Sequence, residues 1–172
     1  AGVYDLPPAD GYISSAAHPG RPDVLTNWMD GSVTDETDAL ATDPDLDPFA
    51  EHNGPPFSPE FVQRYRDAQV ARNHAITDWV EAEYARVRAA GFRDRPFTVM
   101  RTWADLRMID PTLEPTKRPA NQCYAGTPVQ ANRSANGIAA ACTLRSWLTM
   151  WSLRHAQTRA EPHLALIDNP AL

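Results

Sequence analysis

The residues that could do chemistry in this 172-residue chain fail, one class at a time, to assemble into a reactive centre. A serine nucleophile on a strand-to-helix elbow sits in G-x-S-x-G, because the strained turn needs glycine on both sides. None of Ser14, Ser15, Ser32, Ser58, Ser134, Ser146 or Ser152 has that setting. The two cysteines, Cys123 and Cys142, form no C-x-x-C, so neither a zinc site nor a disulfide framework is indicated. There is no Walker A, no G-x-G-x-x-G and no H-E-x-x-H. The nearest histidine pair, His155 and His163, straddles Pro162, and no metal or cofactor is expected. Asp43, Asp45 and Asp47 offer oxygen ligands, but the run lacks the glycine and distal glutamate of an EF-hand loop, so calcium is not expected either.

Two groupings remain as candidate binding residues. His18-Pro19-Gly20-Arg21 follows a short strand-like run, and ligands of open α/β sheets bind outside the carboxyl ends of strands. In that setting His18 or Arg21 would touch substrate; the plain alternative is a Pro-Gly turn. Trp28, Trp103, Trp147 and Trp151 could line an apolar pocket. Any one of them is more often a packing residue, yet from the set at least one ring is expected to face a pocket.

These residues need elements to hold them. Tyr12 to Ala17 is short, rich in small residues and bounded by Pro7-Pro8-Ala9-Asp10-Gly11 and His18-Pro19-Gly20, and reads as a strand. Residues 24–29 suit a short helix. Residues 30–57 form an acidic, Pro-punctuated loop of a length that is usually functional or disordered. Ser58 as N-cap, Pro59 at the first helical position, Glu60 in the first turn and Gly91 as stop delimit a helix about 45 Å long. Its apolar residues Phe61, Tyr65, Ala68, Ile76, Trp79 and Val87 recur near the helical period. Residues 95–102 read as a strand and residues 103–136 as mostly irregular. Asn136-Gly137 then opens a second helix, with Cys142 inside it as a small hydrophobe and Leu144, Trp147, Leu148 and Trp151 on one apolar face. Leu164 to Ile167 reads as the last turn of a helix, broken by Asp168-Asn169-Pro170.

Composition narrows the class further. Apolar content of 42% permits a modest core, and 16 prolines favour broken helices and ordered loops over a regular repeat. Net charge is −6 and uneven: residues 1–60 carry 12 acids and one base, the remainder 10 acids and 15 bases. The halves should attract each other, and scattered bases in an acidic chain are no nucleic-acid footprint. No run reaches the roughly 20 apolar residues of a membrane span, and residues 1–10 lack a signal peptide's basic start. A cytoplasmic location is expected.

The order of elements carries a resemblance. Asp10-Gly11-Tyr12-Ile13 through Ala17-His18-Pro19-Gly20, a long helical insertion, Pro162-His163-Leu164-Ala165-Leu166-Ile167 and then Asn169-Pro170-Ala171-Leu172 resemble a middle slice of a bacterial α/β hydrolase. Thr143 to Ser152 is similar to the last cap helix of a large-cap subgroup. The resemblance implies a mainly α chain with one or two short strands: a core strand and turn over 1–29, the acidic loop over 30–57, a helical cap over 58–160, and a return helix with the start of a core strand over 161–172. It implies hydrolysis of a small hydrophobic ester by a Ser–His–acid triad, none of whose members can be placed on this chain, so the chain alone would be inactive. The remainder of the hydrolase core would be its partner, because a lone sheet strand lacks partners for its backbone; otherwise the edges pair differently, are disordered or meet in a homo-oligomer. The competing expectation is a free-standing helical module that presents residues 139–153 to a partner, or binds a small molecule without chemistry.

Overall fold

The computed structural model describes residues 20–114, 117–122, 126–133 and 139–158. The proposed strand at 12–17, the return segment at 161–172, His18, Cys123 and Asn136 lie outside them. The architecture is mainly α with one small antiparallel sheet. Its elements are α1 (Arg21–Trp28), α2 (Pro59–Ala89), β1 (Pro96–Met100), α3 (Leu106–Ile109), α4 (Pro128–Arg133), β2 (Ala139–Thr143), α5 (Leu144–Ser146), which runs on as a π-helical turn (Trp147–Trp151), and α6 (Leu153–Thr158).

The long helix α2 is the axis of the fold. Ser58 Oγ accepts from Phe61 N at 3.1 Å, Pro59 opens the helix, and Gly91 follows its end with φ +86°, a conformation that suits glycine. The ends of α2 are apolar. Towards its start, Phe57, Phe61 and Tyr65 stack at 5.0 and 5.8 Å and pack with Leu106 and Ile109 of α3. Towards its end, Ile76, Val80 and Val87 meet Leu25 and Met29, Val99 of β1, and Leu144 and Trp147.

Between these clusters the buried face of α2 is polar: Gln69, Arg72, Asn73 and Thr77 are all inaccessible or nearly so. Most of their partners are backbone atoms at the ends of other elements. Gln69 Nε2 donates to Asn27 O and Met29 O at 2.7 and 2.6 Å, satisfying carbonyls at the end of α1 that no helical N–H can reach. Arg72 donates to Asp30 O and Met100 O, both at 2.9 Å, and pairs with Glu36. Trp79, counted with the apolar stripe from sequence, is instead half-exposed, with Phe97 at 5.3 Å and the Arg95 guanidinium over its ring.

The acidic loop is ordered by its own carboxylates. Asp30, Asp35, Asp38, Asp43 and Asp47 each accept from the backbone N–H two residues on, at 2.8–2.9 Å. These are Asx turns, in which the side chain stands in for a backbone carbonyl. Val33 and Thr42 form an antiparallel bridge within the loop. A Cβ on Gly31 would meet Tyr65 O at 2.8 Å, so only glycine lets the loop lie this close to α2. The expected attraction between the acidic and basic portions is realised in the ion pairs Asp30–Arg101, Glu36–Arg72 and Asp47–Arg133.

The second helix expected from Asn136-Gly137 is a correction. Ala139–Thr143 is a strand, registered with Pro96–Met100 so that Cys142 lies opposite Phe97. Its alanines favour helix locally, but β1 has backbone groups that need a partner, and strand formation is decided by such neighbours more than by propensity. Helical structure begins only at Leu144, where Thr143 Oγ1 accepts from Ser146 N.

Candidate functional site

An apolar cavity of about 420 Å³ opens between α1, the segment after β1, β2 and the end of the π-helical turn. Its volume lies in the range of small-molecule pockets, about 300–1,000 Å³. Four candidate residues from the sequence meet there: Arg21, Trp28, Trp103 and Trp151. Sequence reasoning missed Val24, Leu25, Thr102, Ala139 and Ala140, which also line it. Arg21, Val24, Leu25 and Trp28 follow the i, i+3, i+4, i+7 spacing of one helix face, and that pattern was the available signal. The alanines could not be found the same way, since their contribution is the space that a small side chain leaves.

Trp147 is a correction. It is fully buried in the core beside α2, edge-on to Phe97 at 5.8 Å, and its Nε1 donates to Thr77 Oγ1 at 3.0 Å. It supports the wall of the cavity from behind and lines none of it. Leu144, on the face that an interaction module would present, is likewise buried in the core.

Each ring of the cavity is fixed by a backbone atom beside it. The Asn132 amide grips Trp103 at both ends: Nδ2 donates to Trp103 O at 2.7 Å, and Oδ1 accepts from Trp103 N at 3.1 Å. Trp28 O accepts from Ala104 N at 2.9 Å, and the Trp28 and Trp103 rings meet edge-on at 4.9 Å. Trp151 O accepts from Asn73 Nδ2 at 3.0 Å, while Asn73 Oδ1 accepts from Leu153 N at 3.1 Å and Nδ2 also reaches Thr26 Oγ1 at 2.9 Å. One buried asparagine thus ties α1, the π-helical turn and α6 to α2. Thr77 Oγ1 donates to Asn73 O at 2.8 Å and meets Ser152 Oγ at 3.1 Å. The turn itself closes with Ser152 N donating to Trp147 O at 2.9 Å, the wider loop of a π turn, a feature frequent at functional sites.

A buried ionic cluster braces the segment that carries Trp103. Arg101 adopts φ +53°, a left-handed backbone uncommon for a residue with a side chain. Its Nε donates to Asp30 Oδ2 at 2.7 Å, and both groups are closed to solvent. Asp30 Oδ1 accepts from Ser32 Oγ at 2.7 Å and lies 3.3 Å from the Tyr65 hydroxyl, which donates to Ala104 O at 3.0 Å. Burial pushes the Tyr65 phenol well above its usual range, and the Asp30 charge pushes the same way. Such a phenol keeps its proton and serves as a strut. Asp105 is buried too, which raises its pKa, but hydrogen bonds from Arg107 and the charge of Arg66 outweigh this and hold it below the usual carboxylate value.

The described serines are engaged structurally: Ser32 in the Asp30 turn, Ser58 as a cap, Ser146 with Thr143, Ser152 with Thr77. Cys142 is half-buried against the core, and burial pushes its thiol up to about 11, unsuited to nucleophilic work. Among the described residues no group of three or more His, Cys, Asp or Glu could hold a metal ion, and no helix is long and apolar enough to cross a membrane. No family model, no curated protein and no solved structure matches the chain.

Proposed function

We propose that this chain is the cap region, with short flanking core pieces, of an α/β-hydrolase-like enzyme that cleaves esters or similar acyl bonds. In this reading the tryptophan-walled cavity takes the apolar part of the substrate. The observation that carries the proposal is the cavity: Trp28, Trp103 and Trp151 converge on it from separate segments, each fixed by a backbone hydrogen bond. A ring that only filled a core would leave no space of this size, because interiors are close-packed.

The chemistry belongs to residues that the resemblance places outside this chain. It implies a serine that attacks the acyl carbon, a histidine that takes and returns the proton, an acid that orients it, and oxyanion donors for the tetrahedral intermediate. The cap would orient the acyl or alcohol portion and exclude water. The remainder of the hydrolase core is then its partner, and a cytoplasmic location goes with this reading. The same cavity also suits a small-molecule binder without chemistry, since the described residues already form its tryptophan walls.

Methyl 4-phenylbutyrate, a neutral ester, should quench tryptophan emission saturably. Ala139→Phe, which fills the cavity from an exposed strand position, should abolish the quench. Unchanged emission in the wild type, or binding undisturbed by the filled variant, would remove the proposal. Hydrolysis separates the two readings: a fluorophosphonate probe should label a product extended by its flanking coding sequence and leave the 172-residue chain unlabelled.

A further inference from the structure

Among the described residues, the lining of the cavity is apolar apart from the Thr102 hydroxyl and one charged residue, Arg21. Arg21 is exposed and makes no ion pair among the described residues, as is also true of Arg64, Arg88, Arg93, Lys117 and Arg145, but of these only Arg21 stands at the cavity. Its Nη1 donates to Met150 Sδ at 3.6 Å, a weak acceptor for a guanidinium. Helix stability does not account for the residue either. Arg21 is the first residue of α1, where a cation opposes the helix dipole. A guanidinium with open donors thus stands at the mouth of an apolar, aromatic cavity, with Asp23 in the first turn of the same helix to offset the dipole.

Resting on the reading above, we infer that the ligand of this cavity is an apolar acid. An aryl or short aliphatic body would lie among Trp28, Trp103 and Trp151, with one carboxylate at the rim against Arg21. In a hydrolase, the substrate is then an ester that carries a second, free carboxylate. The planar guanidinium fork matches a carboxylate in two parallel hydrogen bonds, while the rings exclude water from the apolar body. A neutral ligand leaves Arg21 with water as before, and a cationic one meets repulsion.

Binding of 4-phenylbutyrate, its methyl ester and 4-phenylbutylamine to the full chain, read by tryptophan emission at low salt, tests the inference. The acid should bind about fivefold more tightly than the ester, the scale of an exposed ion pair, although the ester is the more apolar molecule. The amine should bind least. Arg21→Gln should bring the acid level with the ester, Arg21→Lys should recover part of the preference, and 0.5 M salt should erode it. Equal affinity of acid and ester for the wild type, or a preference that survives Arg21→Gln, overturns the inference and leaves the pocket standing. Failure of both ligands to bind overturns the pocket with it.

Discussion

Replacing Asn73 with alanine should damage both the fold and the cavity. The side chain is fully buried and serves three elements. Truncation leaves Leu153 N–H without its acceptor in a buried setting and removes the donor to Trp151 O, which is partly buried. Thr26 Oγ1 loses an incoming bond but still donates to Pro22 O at 2.6 Å. A stranded buried polar group costs about 1–3 kcal/mol. Two such groups, one of them partly solvated, come to about 2–4 kcal/mol. For a protein of this size that lowers Tm by about 5–15 °C. Asn73→Asp keeps the shape and the acceptor for Leu153 N–H, but it turns a second acceptor towards Trp151 O and places a charge in a dry site. It should be no better than alanine. Urea unfolding followed by circular dichroism gives the stability change, and the same proteins titrated with methyl 4-phenylbutyrate should bind more weakly, because Trp151 has lost its tether. An Asn73→Ala protein within about 0.5 kcal/mol of wild type, the scatter of ordinary surface substitutions, would refute the idea that this amide joins the elements.

Arg101→Met removes one member of a pair closed to solvent, and the stranded Asp30 should cost about 3–5 kcal/mol in urea unfolding; a loss under 1 kcal/mol would mean the pair contributes little. Acid should unfold the protein through Asp105 and Asp110. In each, burial raises the pKa but is outweighed, by Arg107 and Arg66 for Asp105 and by Thr112 and the Phe57 N–H for Asp110, so both folded values lie below the unfolded one. Their stabilisation is therefore complete above about pH 4 and is lost as pH falls through the folded values. Urea midpoints that did not fall between pH 4 and pH 2 would contradict this. Cys142, with its thiol pushed up to about 11, should react with a disulfide reagent at pH 8 on the order of 100-fold more slowly than a free thiol, as peptide mapping would show separately from Cys123; labelling at the rate of a free thiol would contradict it.

What could be read from the residues depended on where their partners lay. The limits of α2 were legible because caps are local: Ser58, Pro59 and Gly91 act on neighbouring backbone. The strand at 96–100 was legible as well, and of the four tryptophans named as a set three line the cavity while Trp147 lies in the core. The burial of the polar stripe Gln69, Arg72, Asn73 and Thr77 was not legible, since hydrophobic periodicity records burial among apolar side chains. Here α2 is buried against bare carbonyls and N–H groups at the ends of other elements. β2 was hidden by its alanines, because its strand state rests on pairing with a segment some 40 residues earlier in the chain. Trp147 and Trp151 share a helical face in the sequence, and only their depth of insertion separates a core ring from a lining ring. The Asx turns left a signal that went unused: aspartate two residues before serine or threonine recurs at Asp30, Asp35 and Asp110.

A crystal of this chain soaked with methyl 4-phenylbutyrate tests the central claim most directly. The phenyl ring should appear among Trp28, Trp103 and Trp151. Density for the ligand only elsewhere, for instance in the polar hollow formed by residues 51–56, Ser58, Phe61 and Arg64, with the tryptophan cavity unchanged, would contradict it.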